Sequence, residues 1–170
     1  RSFYKGETAK DIVDTVQSAA SNPGLLDLRD LAEYRVKERS AVCIAYHELD
    51  VCGMGPPSSG GLTVGQILGI LENYDLAKMG PNSLDAWRLI GDASRLAFAD
   101  RGRYIADSDF VSVPVKGLLN KRYLKNRAAL LNRKNALKTV LPGNPSFDTA
   151  HSFSDDESIE LPSTSHISIV

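Results

Sequence analysis

The longest regular pattern in the chain runs over residues 84–104, directly after the pair Asn82-Ser83. There Trp87, Ile90, Ala93, Leu96 and Ala97 recur at the three- and four-residue spacing that puts side chains on one helix face. A serine just before such a run accepts hydrogen bonds from first-turn amides that have no partner inside the helix. The spacing therefore predicts a core helix that the rest of the chain packs against. Asp92, Arg95, Asp100 and Arg101 fall within it and are expected to be solvent-side or paired charges.

The segments before it are shorter. Residues 6–20 read as an amphipathic helix, with Ala9, Ile12, Val13 and Val16 on one face and Glu7, Lys10, Asp11 and Asp14 on the other. Asn22-Pro23-Gly24 ends it. Residues 26–34 predict a short helix, with Asp27 at the N-cap and Asp30 where a capping box places an acid. Strands are expected over 34–39, 41–46 and 49–54, the middle one supported by alternation of Val42, Ile44 and Tyr46. Pro56-Pro57-Ser58-Ser59-Gly60-Gly61 then turns the chain into an apolar helix over 62–74, with Ile67, Leu68, Ile70 and Leu71 facing inward. Free amides after Ser58 and Ser59 can bind an anion. A serine N-cap with glycines that allow a tight turn explains the same residues without one, there being no GxGxxG spacing and no P-loop lysine.

Residues 106–114 read as a loop. The stretch 116–138 holds Lys121, Arg122, Lys125, Arg127, Arg133 and Lys134 and no acid. Leu124, Ala128 and Leu131 recur within it at helical spacing, so the cations read as the solvated face of a packed helix. Aromatic interleaving is limited to Tyr123 and no nucleic-acid motif accompanies it. Leu141-Pro142-Gly143-Asn144-Pro145-Ser146 breaks all regularity. Residues 144–163, with Asp148, Asp155, Asp156, Glu157 and Glu160, carry too little apolar area to fold alone and read as an exposed acidic linker.

Composition bounds the function classes. At 170 residues and 42% hydrophobic content the chain can bury a core, and its net charge of −1 gives no global push toward nucleic acid or anionic lipid. No apolar run reaches the roughly 18–20 residues of a membrane helix. The opening Arg1-Ser2-Phe3-Tyr4-Lys5 has no signal-peptide core behind it and looks mid-domain. The two cysteines, Cys43 and Cys52, flank the turn at 47–50 almost symmetrically. A hairpin there makes a bridge geometrically possible, while two small, partly buried thiols that never pair account for them equally. The spacing matches no CxxC redox or zinc motif, so no metal is implied.

The last nine residues carry the chemistry. Thr164 sits among small polar neighbours, just before Ile167 and Ile169 alternate with His166 and Ser168 as a half-buried strand would. A threonine at the edge of such a strand, behind a polar segment, is where a self-cleaving N-terminal nucleophile sits. Its hydroxyl needs a base, and once the preceding bond is cut its own α-amine, with an ordinary pKa of roughly 7.7–8.0, can serve. Taken alone, Thr164 is also a β-branched residue that opens a strand.

Ser163-Thr164-Ser165-His166-Ile167-Ser168-Ile169-Val170 resembles the processing junction of γ-glutamyltranspeptidases, in which a Thr-x-His-hydrophobic-Ser-Val-Val run begins the small subunit. Upstream strings resemble the same family in the same order: Phe3-Tyr4-Lys5-Gly6-Glu7, Asp27-Leu28-Arg29-Asp30-Leu31-Ala32-Glu33-Tyr34, Pro56-Pro57-Ser58-Ser59-Gly60-Gly61, Ile70-Leu71-Glu72-Asn73-Tyr74-Asp75, Ala99-Asp100-Arg101 and Asp109-Phe110-Val111. The likeness is weakest from about residue 135 to 161. It implies an α/β fragment of the N-terminal-nucleophile hydrolase (αββα) fold, mainly helical with a short antiparallel hairpin. Residues 1–143 would belong to the large subunit, 144–163 to the linker and 164–170 to the start of the small subunit.

The resemblance also implies γ-glutamyl transfer from glutathione-type donors to water or an amino-acid acceptor. Cleavage would fall between Ser163 and Thr164, Thr164 would be the nucleophile, and His166 would support the strand start. No cofactor or metal is implied. Partners would be the γ-glutamyl donor, an acceptor and the remainder of the small subunit, with no nucleic acid and no transmembrane segment. Location would be periplasmic or secreted. The family's pocket residues fall outside 1–170, so the chain alone is expected to be inactive. A cephalosporin or glutaryl acylase of the same superfamily, and a non-catalytic interaction domain using 116–138, are the rival expectations.

Overall fold

The computed structural model describes residues 2–131 and 134–146, and the chain divides into two compact units, Arg1–Glu38 and Arg39–Val170. The first unit holds α1 (Ser2–Lys5), α2 (Glu7–Gln17) and α3 (Leu28–Glu33). Ala9 and Val13, one turn apart on α2, are its buried residues, and Ile12 and Val16 flank them half-buried, as the helical spacing predicts. The helix stops at Gln17, earlier than expected, because the chain doubles back. Asn22 takes φ 54° and the Gly24 amide donates to the Val16 carbonyl at 3.0 Å. The α3 capping box forms as expected: Asp27 accepts from the amides of Arg29 and Asp30, and Asp30 accepts from the Asp27 amide at 2.9 Å. These bonds, the Asp30 amide first, hold the Asp27 carboxyl below its ordinary pKa.

The second unit starts with an antiparallel hairpin of β1 (Val42–Tyr46) and β2 (Leu49–Gly53), turned at His47 with φ 52°. Its register sets Cys43 opposite Cys52, and the two form a disulfide on the exposed side of the ribbon. The expected strand over 34–39 is absent; residues 34–40 carry no ladder. That run is mostly charged, its Val36 is exposed, and the Arg39 guanidinium reaches Asp109 at 2.7 Å. Nothing in it offers an apolar face to bury.

Five helices follow among the described residues: α4 (Gly60–Leu71), α5 (Leu76–Met79), α6 (Leu84–Tyr104), α7 (Val115–Leu118) and α8 (Lys121–Ala129). Helix α4 is central, packing on α6, α8 and the hairpin. It approaches β2 closely because position 61 is glycine: a Cβ there would lie 2.7 Å from the Met54 carbonyl oxygen. The main core joins Ile70, Leu71, Leu89, Ala93, Leu96, Leu124, Ala128 and Leu131, and a second cluster holds Leu62, Tyr104 and Leu118. Burial of Leu124, Ala128 and Leu131 matches the expected spacing. Within α4, Ile70 and Leu71 are buried as expected, while Ile67 and Leu68 are half-buried.

One expectation for α6 needs correction. Trp87 is 62% exposed, with its indole N–H on the Pro81 carbonyl at 2.9 Å. The inward stripe runs instead through Ala86, Leu89, Ala93, Leu96, Ala97, Asp100 and Tyr104, which leaves position 87 off to one side. Of the two states expected for its charges, solvent-side or paired, Asp92 and Asp100 take the second, at 2% and 0% exposed.

Candidate functional site

Ser163, Thr164 and His166, the expected cleavage and catalytic residues, lie outside the described residues, as does the linker from residue 147. The structure does describe the chain on its way there. Residues 137–146 form an irregular strap along α6, held by two buried acids of that helix. Asp92 and Asp100 are eight residues apart, a rise of about 12 Å along a helix.

At the first anchor both oxygens of Asp92 accept from the Leu137 amide, at 3.2 and 3.0 Å. Arg95 donates to Asp92 at 3.2 Å and to the Leu137 carbonyl, so both polar atoms of that peptide unit are engaged. Arg88 adds a cation at 4.0 Å.

The second anchor is Asp100. Its carboxylate accepts from Gln66 Nε2 at 2.9 Å, Tyr123 OH at 2.6 Å, Arg127 Nη2 at 3.0 Å and the Gly143 amide at 2.7 Å. A charge removed from water needs such company, because burial alone would cost several kcal/mol. Arg127, also buried, donates further to the carbonyls of Leu96 and Leu141 at 3.0 Å. It is thus the exception to the solvated basic face: Lys121, Arg122, Lys125 and Lys134 are exposed. Tyr104 closes the anchor by donating to the Gly143 carbonyl at 2.6 Å. Both backbone groups of Gly143 are therefore held, and the fit is tight enough that a Cβ there would overlap the Tyr123 hydroxyl. Three residues on, the Ser146 carbonyl lies where a Cβ on Gly117 would be, and Pro145 is buried.

The sequence reading missed these anchors. The signal was present: Asp100 sits four residues after Leu96 and four before Tyr104 on the inward stripe, and Arg127 lies between Leu124 and Ala128 on that of α8. A charge at a core position requires a partner.

Burial first, then the hydrogen bond to Asp100, raises the Tyr123 phenol well above its ordinary pKa of 10.0. In the unfolded chain it ionises near 10; in the fold it keeps its proton. The stability linked to that difference is complete below about pH 10 and is lost as pH rises above it. Denaturant midpoints should therefore be steady up to about pH 10 and then fall, less steeply in Tyr123→Phe. An unchanged alkaline slope in that variant would assign the loss to other groups.

At the start of α4, Ser59 occupies the N-cap position without capping through its side chain. Its hydroxyl accepts instead from Arg101 Nε at 2.9 Å, while Ser58 Oγ takes the Gly60 amide at 3.4 Å. The Ser59 hydroxyl thus ties the start of α4 to α6. Among the described residues no cluster of His, Cys, Asp and Glu could hold a metal ion, and no helix is long and apolar enough to cross a membrane.

Comparison with known proteins connects this scaffold to a family. The family model described as gamma-glutamyltranspeptidase matches residues 1–170. The glutathione hydrolase proenzyme of Escherichia coli (strain K12) is 41% identical over 143 residues, 83% of this chain and 24% of that protein. The Acylase ACY 1 proenzyme of Pseudomonas sp. (strain SE83) is 39% identical over 151 residues, 88% of this chain and 26% of that protein. Among solved structures, the γ-glutamyltranspeptidase of Helicobacter pylori superposes with a TM-score of 0.71 at 37% identity, covering 83% of this chain and 40% of that one. The chain thus spans about a quarter of the length of the curated relatives it matches. A match along all of its residues, with relatives this similar, shows that the chain belongs to the γ-glutamyltranspeptidase family and that its helices and hairpin are part of that family's N-terminal-nucleophile hydrolase fold.

Proposed function

We propose that the parent protein is a self-processing γ-glutamyltransferase and glutathione hydrolase, with Thr164 as the nucleophile of both cleavage and transfer. The observation that carries this is the family match through residue 170, together with a Ser163-Thr164-x-His166 string that resembles the family's processing junction. Both curated relatives above are named as proenzymes, which supports a maturation step.

The Thr164 hydroxyl attacks the Ser163 carbonyl carbon. The C–N bond breaks, its nitrogen takes the hydroxyl proton and becomes the free α-amine of Thr164, and the acyl group rests on Oγ as an ester. Water hydrolyses the ester, leaving Ser163 as a new C-terminus. In the mature enzyme the same hydroxyl attacks a γ-glutamyl amide while the amine relays the proton to the leaving group. Water or an amino acid then takes the glutamyl group. His166 supports the start of the strand. Residues 144–163 serve as the acidic linker, not exposed at its start, where Pro145 is buried, and 164–170 as the start of the small subunit. The chain as given, about a quarter of its relatives' length, is inactive alone. A periplasmic or secreted location is supported by the Cys43–Cys52 disulfide, which persists in oxidising compartments.

The test is the mass of the smaller product of the purified full-length parent. It should begin at Thr164, and its appearance should coincide with glutathione hydrolysis. A parent that hydrolyses glutathione as one uncut chain would overturn the proposal. A second activity, that of an acylase, is favoured by one specific observation: the acylase relative is nearly as similar as the glutathione hydrolase, 39% against 41%. A γ-glutamyl donor carries an α-amine and carboxylate that a glutaryl amide lacks the amine to match. Relative turnover of those two donors decides between them.

A further inference from the structure

We infer that the outward face of α6 is an internal interface of the parent protein, covered by an apolar surface from the part of that protein outside residues 1–170. This goes beyond the chemistry proposed for Thr164 and does not depend on it.

The exposed positions of α6 that recur at three- and four-residue steps are Leu84, Trp87, Gly91, Arg95, Phe98 and Gly102, so they form one stripe along the helix. Such an outward stripe is ordinarily polar and charged. This one carries a single charge, and Arg95 is already engaged by Asp92 and the Leu137 carbonyl. Leu84 is 86% exposed and Phe98 53%, beside the 62% of Trp87. One exposed apolar side chain is ordinary, but three share this stripe while Leu89, Ala93 and Leu96 of the same helix sit in the main core. A helix apolar on both faces lies between two layers of a fold, and only one layer is described here.

The face is also prepared for burial. The one polar atom of the Trp87 side chain already donates to the Pro81 carbonyl, so its ring can leave water without stranding a donor. Beside it an apolar groove of about 250 Å³ between α5 and α6 is lined by Leu76, Ala77, Pro81, Ala86, Trp87 and Ile90. At Gly91 and Gly102 nothing lies within 4 Å of where a Cβ would stand, which leaves room for another element to approach the helix backbone closely.

The share of the family's polypeptide present says what covers this face. The chain spans 24% of the Escherichia coli relative and 40% of the Helicobacter pylori chain on which it superposes, so most of the polypeptide in those proteins lies outside the matched segment. A surface in the same polypeptide meets the stripe at an effective concentration of the order of millimolar, ahead of a second copy.

The experiment uses the full-length parent. Hydroxyl-radical footprinting of the unsubstituted protein compares oxidation of Trp87 and Phe98 in the native and urea-unfolded states. Both should be protected about tenfold or more, whereas rings as open as these would show only about twofold protection. Twofold protection overturns the inference, and so does protection that disappears on dilution, which marks a second copy. A benzophenone amino acid placed at position 87 or 98 then identifies the cover in a mixture of isotope-labelled and unlabelled parent. Crosslinks should reach peptides outside residues 1–170 and join fragments of the same isotope. Mixed-isotope pairs, crosslinks confined to residues 1–170, or no crosslink at all each overturn the inference. Should a crosslinker variant fail to fold, the footprint and its dilution series still decide. A parent that stays uncut or does not turn over glutathione would count against the reading of Thr164 and leave this one standing.

Discussion

Thr164→Ala in the full-length parent is expected to leave one uncut chain with no γ-glutamyl turnover. On the mechanism proposed above, the substitution removes the only group that attacks in either step. Proximity of this kind accounts for a large share of such a barrier, so the loss should be complete within assay sensitivity, not a few-fold change. Thr164→Ser keeps the hydroxyl and should retain part of both activities; what it loses is the methyl that restricts χ1 and pre-aims the oxygen. Supplying the two chains separately, with Thr164 already at a free N-terminus, should give transfer with no processing step. If Thr164 only opens a strand, alanine costs about 1 kcal/mol of stability and activity persists. Gel mobility and donor hydrolysis on the same preparation separate the two outcomes.

Asp100→Ala should destabilise the fold by about 3–5 kcal/mol, the scale for breaking a buried ion pair from one side. Most of that is the cost of what remains. The Arg127 guanidinium, 6% exposed, would keep its charge with no counter-charge, and the Gly143 amide, Gln66 Nε2 and the Tyr123 hydroxyl would lose their acceptor. Against a typical domain stability of about 5–15 kcal/mol this is a large fraction. Removing both charges, as Asp100→Leu with Arg127→Met, should recover the part due to the unpaired Arg127 charge but not the part due to the donors left without an acceptor. Denaturant midpoints of the single and double variants test this. A single variant within 1 kcal/mol of the parent would show that the pair is not the strap's support.

Local signals in the sequence were strong wherever a residue's role is settled by its immediate neighbours. Asp27 and Asp30 cap α3 as their spacing foretells, because a capping box needs only three residues and their own backbone. The β1–β2 hairpin was legible from alternation, and the inward set Leu124, Ala128 and Leu131 from helical period. The strand expected over 34–39 failed for the converse reason. Extended backbone becomes a strand only if a partner edge accepts it, and no pattern within six residues reports on a partner.

The candidate site divides in the same way. Thr164 and its neighbours could be singled out because their string carries the family resemblance by itself, and they lie outside the described residues. Asp100, Arg127 and Gly143 were not, since each belongs to a different stretch and none forms a motif. The sequence by itself determined the family and the helical periods, both of which are written in residues close together along the chain. Only the tertiary structure decided that Cys43 bonds Cys52, that Trp87 faces outward, and that two acids of α6 turn inward to hold the strap. Those outcomes depend on which face of α6 meets α4 and α8. Burial then converts a charge that would be inert on the surface into one that must find partners from residue 66 to residue 143.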